Sequence, residues 1–173
     1  MPRSLADGKT KYSVLTTKPV DPRLPTITEL EAGIQAAANI LASDFTWGAA
    51  DSDTVAERSL ADKNNVNALS ASNYTAGITP FRYFDDTTGA PDPLEDALFV
   101  ALQEKGTELW CYARRTGKDA GDAWAADDEI FLGAMVITDE PQPPSDLGGY
   151  IKFRVPMQVQ EAYPFIAAAA AGV

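Results

Sequence analysis

The chain has 173 residues, no histidine, one cysteine and a formal net charge of −11. Without histidine there is no Ser-His-Asp triad, no Cys-His pair and no usual zinc site, and an acidic body argues against tight nucleic-acid binding, which needs clustered Lys and Arg facing phosphates. At this size a folded surface of roughly 8,200 Å² is expected against roughly 26,800 Å² for the open chain, so a core forms without disulfides and one domain over residues 1–173 is the default.

The charge is uneven. Residues 1–25 carry five basic and two acidic groups, residues 26–104 three and thirteen, and residues 105–173 six and ten. Met1-Pro2-Arg3-Ser4 leads into no apolar core, so no secretory signal is expected. Cys111 has no internal partner and reads as a small buried apolar residue in a reducing setting.

In chain order, an N-terminal arm (1–8) precedes a strand over Lys9 to Thr17. Tyr12 and Val14 share one face, and Lys9 and Lys11 lie on the other as on a solvated edge. Gly8-Lys9-Thr10 fails as a phosphate loop, because Arg3 stands where the motif needs glycine. A proline-rich connector over 19–25 leads to a helix with Thr26 as N-cap and Glu29 completing a capping box. Its stripe is Ile27, Leu30, Ile34, Ala37 and Leu41. Residues 42–72 read as a long mid-chain loop, with a possible strand over Thr54 to Leu60. Such a loop either carries function or orders against a partner. Asp51-Ser52-Asp53 departs from the calcium-loop pattern at Val55 and Ala56 and reads as solvated acid.

A strand over 73–85 breaks at Pro80. A second helix has Asp92 as N-cap, Pro93 at N1 and Glu95 at N3. Its face is Leu94, Ala97, Leu98, Ala101 and Leu102, and Gly106 lies beyond its end. Thr107 to Arg115 is a strand. Arg114, Arg115 and Lys118 form a basic knot suited to surface ion pairs, and Trp124 sits alone in the following loop, as a contact residue or packed over the sheet.

The stretch from Asp128 to Val159 joins two strand-like runs through a Pro- and Gly-rich connection. Ile130, Phe131, Leu132, Met135, Val136 and Ile137 are apolar on both faces, which fits a strand central in a sandwich or one covered by another molecule. In the second run Ile151, Phe153, Val155, Met157 and Val159 share a face. Pro156 lacks an N–H, so its side of that strand is expected at an edge, a bulge or a loose junction, with the regular ladder on the other side. A C-terminal arm (161–173) carries Tyr163, Pro164 and Phe165, and its alanine-rich end reads as a tail. No catalytic residue, cofactor or metal site is proposed by these residues.

Five strings resemble the major tail protein (tail tube protein) of long-tailed bacteriophages that infect actinobacteria. They are MPRSLADGKTKYSVLTT (1–17), ASDFTWGAADSD (42–53), ASNYTAGITPFRYFD (71–85), LWCYARRTGK (109–118) and PSDLGGYIKFRVPMQVQ (144–160), in order along nearly the whole chain. The resemblance implies a mainly β fold, a β-sandwich with one or two flanking helices whose strands contribute to an intersubunit β-barrel. It further implies hexameric rings stacked into a tube in the virion tail, assembled in the host bacterial cytoplasm with other tail proteins, and an acidic lumen through which DNA passes at ejection. An acidic wall repels an anionic duplex, so DNA slides without sticking. The candidate subunit-interface residues are Lys9, Lys11, Trp47, Asp51, Asp53, Trp124, Ile151, Phe153, Tyr163 and Phe165. Charge reversal at Lys9 and Lys11 is expected to weaken assembly. Two other readings are another viral head or tail component and an acidic β-sandwich binding module.

Overall fold

The structure, a computed structural model, describes residues 3–171. The first two residues of the expected N-terminal arm and the last two of the expected C-terminal arm lie outside the described residues. The fold is mainly β. Its strands are β1 (Thr10–Leu15), β2 (Ile34–Gln35), β3 (Thr46–Ala50), β4 (Thr54–Val55), β5 (Ala68–Leu69), β6 (Asn73–Ile78), β7 (Glu108–Arg115), β8 (Glu129–Thr138) and β9 (Val155–Ala167). Two short helices accompany them, α1 (Ile27–Ala32) and α2 (Ala97–Leu102). Seven strands form one antiparallel sheet in the order β2-β1-β7-β8-β9-β6-β3, and β4 and β5 form a separate hairpin.

The sheet curls without closing into a barrel. Trp47 on β3 donates its indole N–H to the Leu132 carbonyl of β8 at 3.0 Å. The Tyr12 ring of β1 meets Trp47 edge-on at 5.1 Å and Phe45 at 5.3 Å. The concave core holds Val14, Ile78, Leu98, Leu102, Leu109, Cys111, Leu132, Val136, Val155 and Met157. Burial pushes the Cys111 thiol up to about 12, which makes it unreactive. The opposite face has its own cluster, with Leu30, Trp110, Tyr112, Trp124 and Ile130 under α1 and the loop before β8. Both faces of β7 and β8 are therefore covered within the subunit, which accounts for their two-sided apolarity.

The capping box of α1 forms as read: Thr26 Oγ1 accepts from the Glu29 N–H and Glu29 returns to Thr26. The helix, however, ends at Ala32 rather than running to Leu41. A Cβ on Gly33 would lie 2.8 Å from Leu15 Cδ1 and 3.0 Å from the Val14 carbonyl, so the chain is pressed against β1 there. It leaves the helix extended and pairs as β2 with Ser13 and Val14. The helical stripe was real apolar spacing, but Ile34 is half-buried by sheet packing instead, next to the fully buried Ala36.

The second helix is also shorter than its punctuation suggested. Asp92 Oδ1 accepts from the Leu94 and Glu95 N–H groups at 2.8 and 2.9 Å, but this caps a turn, and regular helix begins at Ala97. Asp96 is drawn out of capping by Arg82, which holds it in a buried ion pair at 2.9 Å. Leu94 is exposed, and Phe99 takes its expected place in the core.

Candidate subunit interface

Three surface features are only partly covered within the subunit. The first is one edge of β9. Its register with β8 runs from Thr138 opposite Met157 to Glu129 opposite Ala167, but β6 covers the other edge only at Val155, Pro156 and Met157. From Gln158 onward that edge is open. Alternate residues of a strand point their backbone groups to the same side. The Pro156 carbonyl accepts from the Asp139 N–H at 2.9 Å, so the Pro156 side faces β8. The expectation is met only in part: Pro156 lies just beyond the end of β8, and a bulge at Gln160 interrupts the ladder. The intact side pairs regularly with β6, but for three residues only, and the longer ladder lies on the Pro156 side. Past the bulge the parity changes, so Pro164 turns its missing N–H to the open edge, and Phe165 follows in the left-handed region with φ 49°. The pairable open edge is therefore 158–163.

The second feature is the hairpin of β4 and β5 within residues 51–72. The expected loop over 42–72 is thus corrected in part: it contains β3, paired with β6, and this hairpin. The Asp53 N–H bonds the Ala71 carbonyl and the Ser70 N–H bonds the Asp53 carbonyl, both at 2.8 Å, which closes the hairpin's base. Beyond it, Val55, Leu60, Val66 and Leu69 are exposed. A lone two-stranded hairpin is at best marginally stable in water. The third feature is the segment from Pro141 to Arg154, where Leu147, Tyr150 and Ile151 are exposed. Tyr150 packs only its edge on Phe81, 5.7 Å between centroids. The expected strand over 150–154 is replaced by isolated bridges from Lys152 to Phe81 and from Arg154 to Gln142.

The accessible surface is 10772 Å², about 2,600 Å² above the roughly 8,200 Å² of a compact monomer of this mass.

The residues singled out in the sequence fall into two groups. Asp51, Asp53, Ile151 and Phe165 are exposed, and Lys9 pairs with Asp119. Trp47, Trp124 and Tyr163 are buried inside the subunit, and Phe153 is half-buried against Phe99. Trp124 donates to Ser13 Oγ at 2.8 Å, which settles it as packed over the sheet. Lys11 is not on a solvated face. It is 5% exposed, beneath the loop that follows β7.

That loop is built around the basic knot, which is a correction as well. Arg114 is fully buried, donating to Asp128 at 2.7 Å and to the carbonyls of Asp119, Asp122 and Ala123 at 2.9, 3.2 and 3.1 Å. Lys118 pairs with the other oxygen of Asp128. Burial pushes the Asp128 carboxyl up, but Lys118, the Ala125 N–H and Arg114 together outweigh it and hold the group below the usual carboxylate range. Asp44 is likewise depressed: burial raises it, while Thr79 and Arg154 lower it by more. The alanine-rich end is not a loose tail. Ala168 is buried, and Ala169 bonds the Pro25 carbonyl and the Ile27 N–H.

Sequence reasoning missed Val55, Leu60, Val66, Leu69, Leu147 and Tyr150. Their signal was apolar residues spaced singly through polar, turn-rich segments where no intramolecular core was available to take them.

The family model of phage tail tube proteins matches residues 1–172. The chain belongs to the phage tail tube protein family. No curated protein and no solved structure matches. Membership places the chain among structural components of the virion tail that assemble with copies of themselves and with other tail proteins. Among the described residues, no helix is long and apolar enough to cross a membrane.

Proposed function

We propose that this chain acts as a single tail-tube domain forming hexameric rings that stack into a tube, with an acidic lumen that conducts DNA during ejection. The observation that carries this reading is an open strand edge over residues 158–163 beside a hairpin and a 141–154 segment with exposed apolar side chains, on a chain whose surface exceeds that of a compact monomer by about 2,600 Å². An open edge is an aggregation hazard in a monomer and a means of assembly when a neighbour's strand pairs with it. Residues 158–163 are suited to that role, and Pro164 and Phe165 mark where pairing stops. Head-to-tail contacts that close give rings, and contacts that do not close give filaments. The net charge of −11 supports a wall that repels the DNA it conducts.

Negative-stain electron microscopy of concentrated purified protein tests this reading. Hollow tubes of stacked rings are expected. Protein that stays monomeric at every concentration, or that forms isolated rings only, overturns it.

A further inference from the structure

Most of the large apolar side chains exposed among the described residues fall at opposite ends of one strand. β6 runs from Asn73 to Ile78. The 51–72 hairpin leads into its first residue, and the loop from Thr79 to Asp96 leaves its last. That loop is stitched to the 141–154 segment: the Arg82 N–H bonds the Ile151 carbonyl at 2.8 Å, and Tyr150 packs on Phe81. Leu94, Leu147, Tyr150 and Ile151 are exposed at this end, and Val55, Leu60, Val66 and Leu69 at the hairpin end.

The two ends also differ in charge. Residues 79–107 carry six acidic and two basic groups. Both basic groups are taken, Arg82 by Asp96 and Lys105 by Asp139, while Asp86 and Glu95 are exposed and their carboxylates bond nothing among the described residues. The tip of the hairpin is the reverse. Leu60 is fully exposed there, and Asp62 folds back to accept from the Ser59 N–H at 2.8 Å. Arg58 and Lys63 beside it are exposed, with no carboxylate within 4 Å among the described residues. An apolar tip flanked by free cations is complementary to an apolar patch rimmed by free carboxylates.

Resting on the tube reading, we propose that the hairpin tip of a subunit in one ring, residues 58–63, docks on the patch of Leu94, Leu147, Tyr150 and Ile151 of a subunit in the next, with Arg58 and Lys63 facing Asp86 and Glu95. A copy displaced along the strands brings the one end onto the other. Such contact is head-to-tail and propagates without closing, and it leaves the open edge of β9 free for pairing within a ring. It also covers apolar residues that leave the hairpin marginal in isolation.

The test is charge reversal with rescue on the full chain. Arg58→Glu combined with Lys63→Glu sets like charges face to face and is expected to raise the critical concentration for tube growth roughly tenfold or more, with closed rings still present in micrographs. Adding Asp86→Lys and Glu95→Lys to the same chain is expected to bring the tubes back. A second measurement leaves the charges untouched: Leu60→Cys and Tyr150→Cys proteins are mixed, assembled and treated with a short bismaleimide. A covalent dimer that neither variant gives alone is expected, with buried Cys111 as a silent background. Given wild-type tubes, normal tube yield from the reversed hairpin, failure of the rescue, loss of rings along with tubes, or absence of the cross-link overturns this contact and leaves the tube reading standing. Wild-type protein that forms no tubes overturns both.

Discussion

Removing the Asp128 carboxylate by Asp128→Ala isolates the Arg114 guanidinium in the loop that follows β7. Arg114 would keep its three carbonyl partners but lose its only counter-charge among the described residues, where its Nε already lacks a partner. Breaking a buried pair from one side costs about 3–5 kcal/mol, a large share of a total stability of about 5–15 kcal/mol. At roughly 2–4 °C per kcal/mol for this size, the melting temperature should fall by about 6–20 °C. Urea denaturation at pH 7, followed by tryptophan fluorescence, reads the loss directly, since Trp124 stacks 5.2 Å from Arg114. The depressed Asp128 carboxyl contributes stability above its unfolded value of about 3.9, and that contribution disappears as pH falls through the lower folded value. Wild-type stability should therefore drop more steeply than that of Asp128→Ala below pH 4. A loss under about 1 kcal/mol at pH 7, the behaviour of a surface pair, would refute the buried-node reasoning.

Two further perturbations separate folding from assembly. Gly133→Ala places a Cβ 2.6 Å from Cδ1 and Cε1 of Tyr112, whose hydroxyl is tied to the Pro22 carbonyl at 3.0 Å. Overpacking of about 1–3 kcal/mol is expected, read as a lower urea midpoint, and an unchanged midpoint would show that Tyr112 moves freely. Replacing residues 54–69 by a two-residue Asn-Gly turn should leave the melting temperature within a few degrees, because the hairpin adds nothing to either core cluster. The same deletion should abolish tubes in micrographs, and tubes of normal yield would exclude the hairpin from assembly.

The main strands were legible where residues had one job. Glu108–Arg115 and Glu129–Thr138 were plain because both faces are apolar, and the capping box at Thr26 named its helix start. Lengths were less legible. Gly33 ends α1 through contact with Leu15, a residue far away in sequence, so local spacing carried no sign of it. The basic knot misled for a related reason: Arg114 looks like a surface cation until the loop from Asp119 to Ala123 wraps its carbonyls around it. The interface candidates divided by the same logic. Trp47 and Trp124 found intramolecular homes, and the exposed apolar surface is carried instead by residues of the hairpin and the 141–154 segment, with Tyr150 and Phe165 as its aromatics.

The central claim is that the surface left open by one subunit is closed by copies of the same chain. A cryo-electron microscopy reconstruction of assembled protein tests it most directly. The account predicts a hollow tube in which the open edge of β9 over residues 158–163 pairs with a neighbour's strand and the 51–72 hairpin lies on an adjacent subunit. A tube in which both remain in solvent would contradict it.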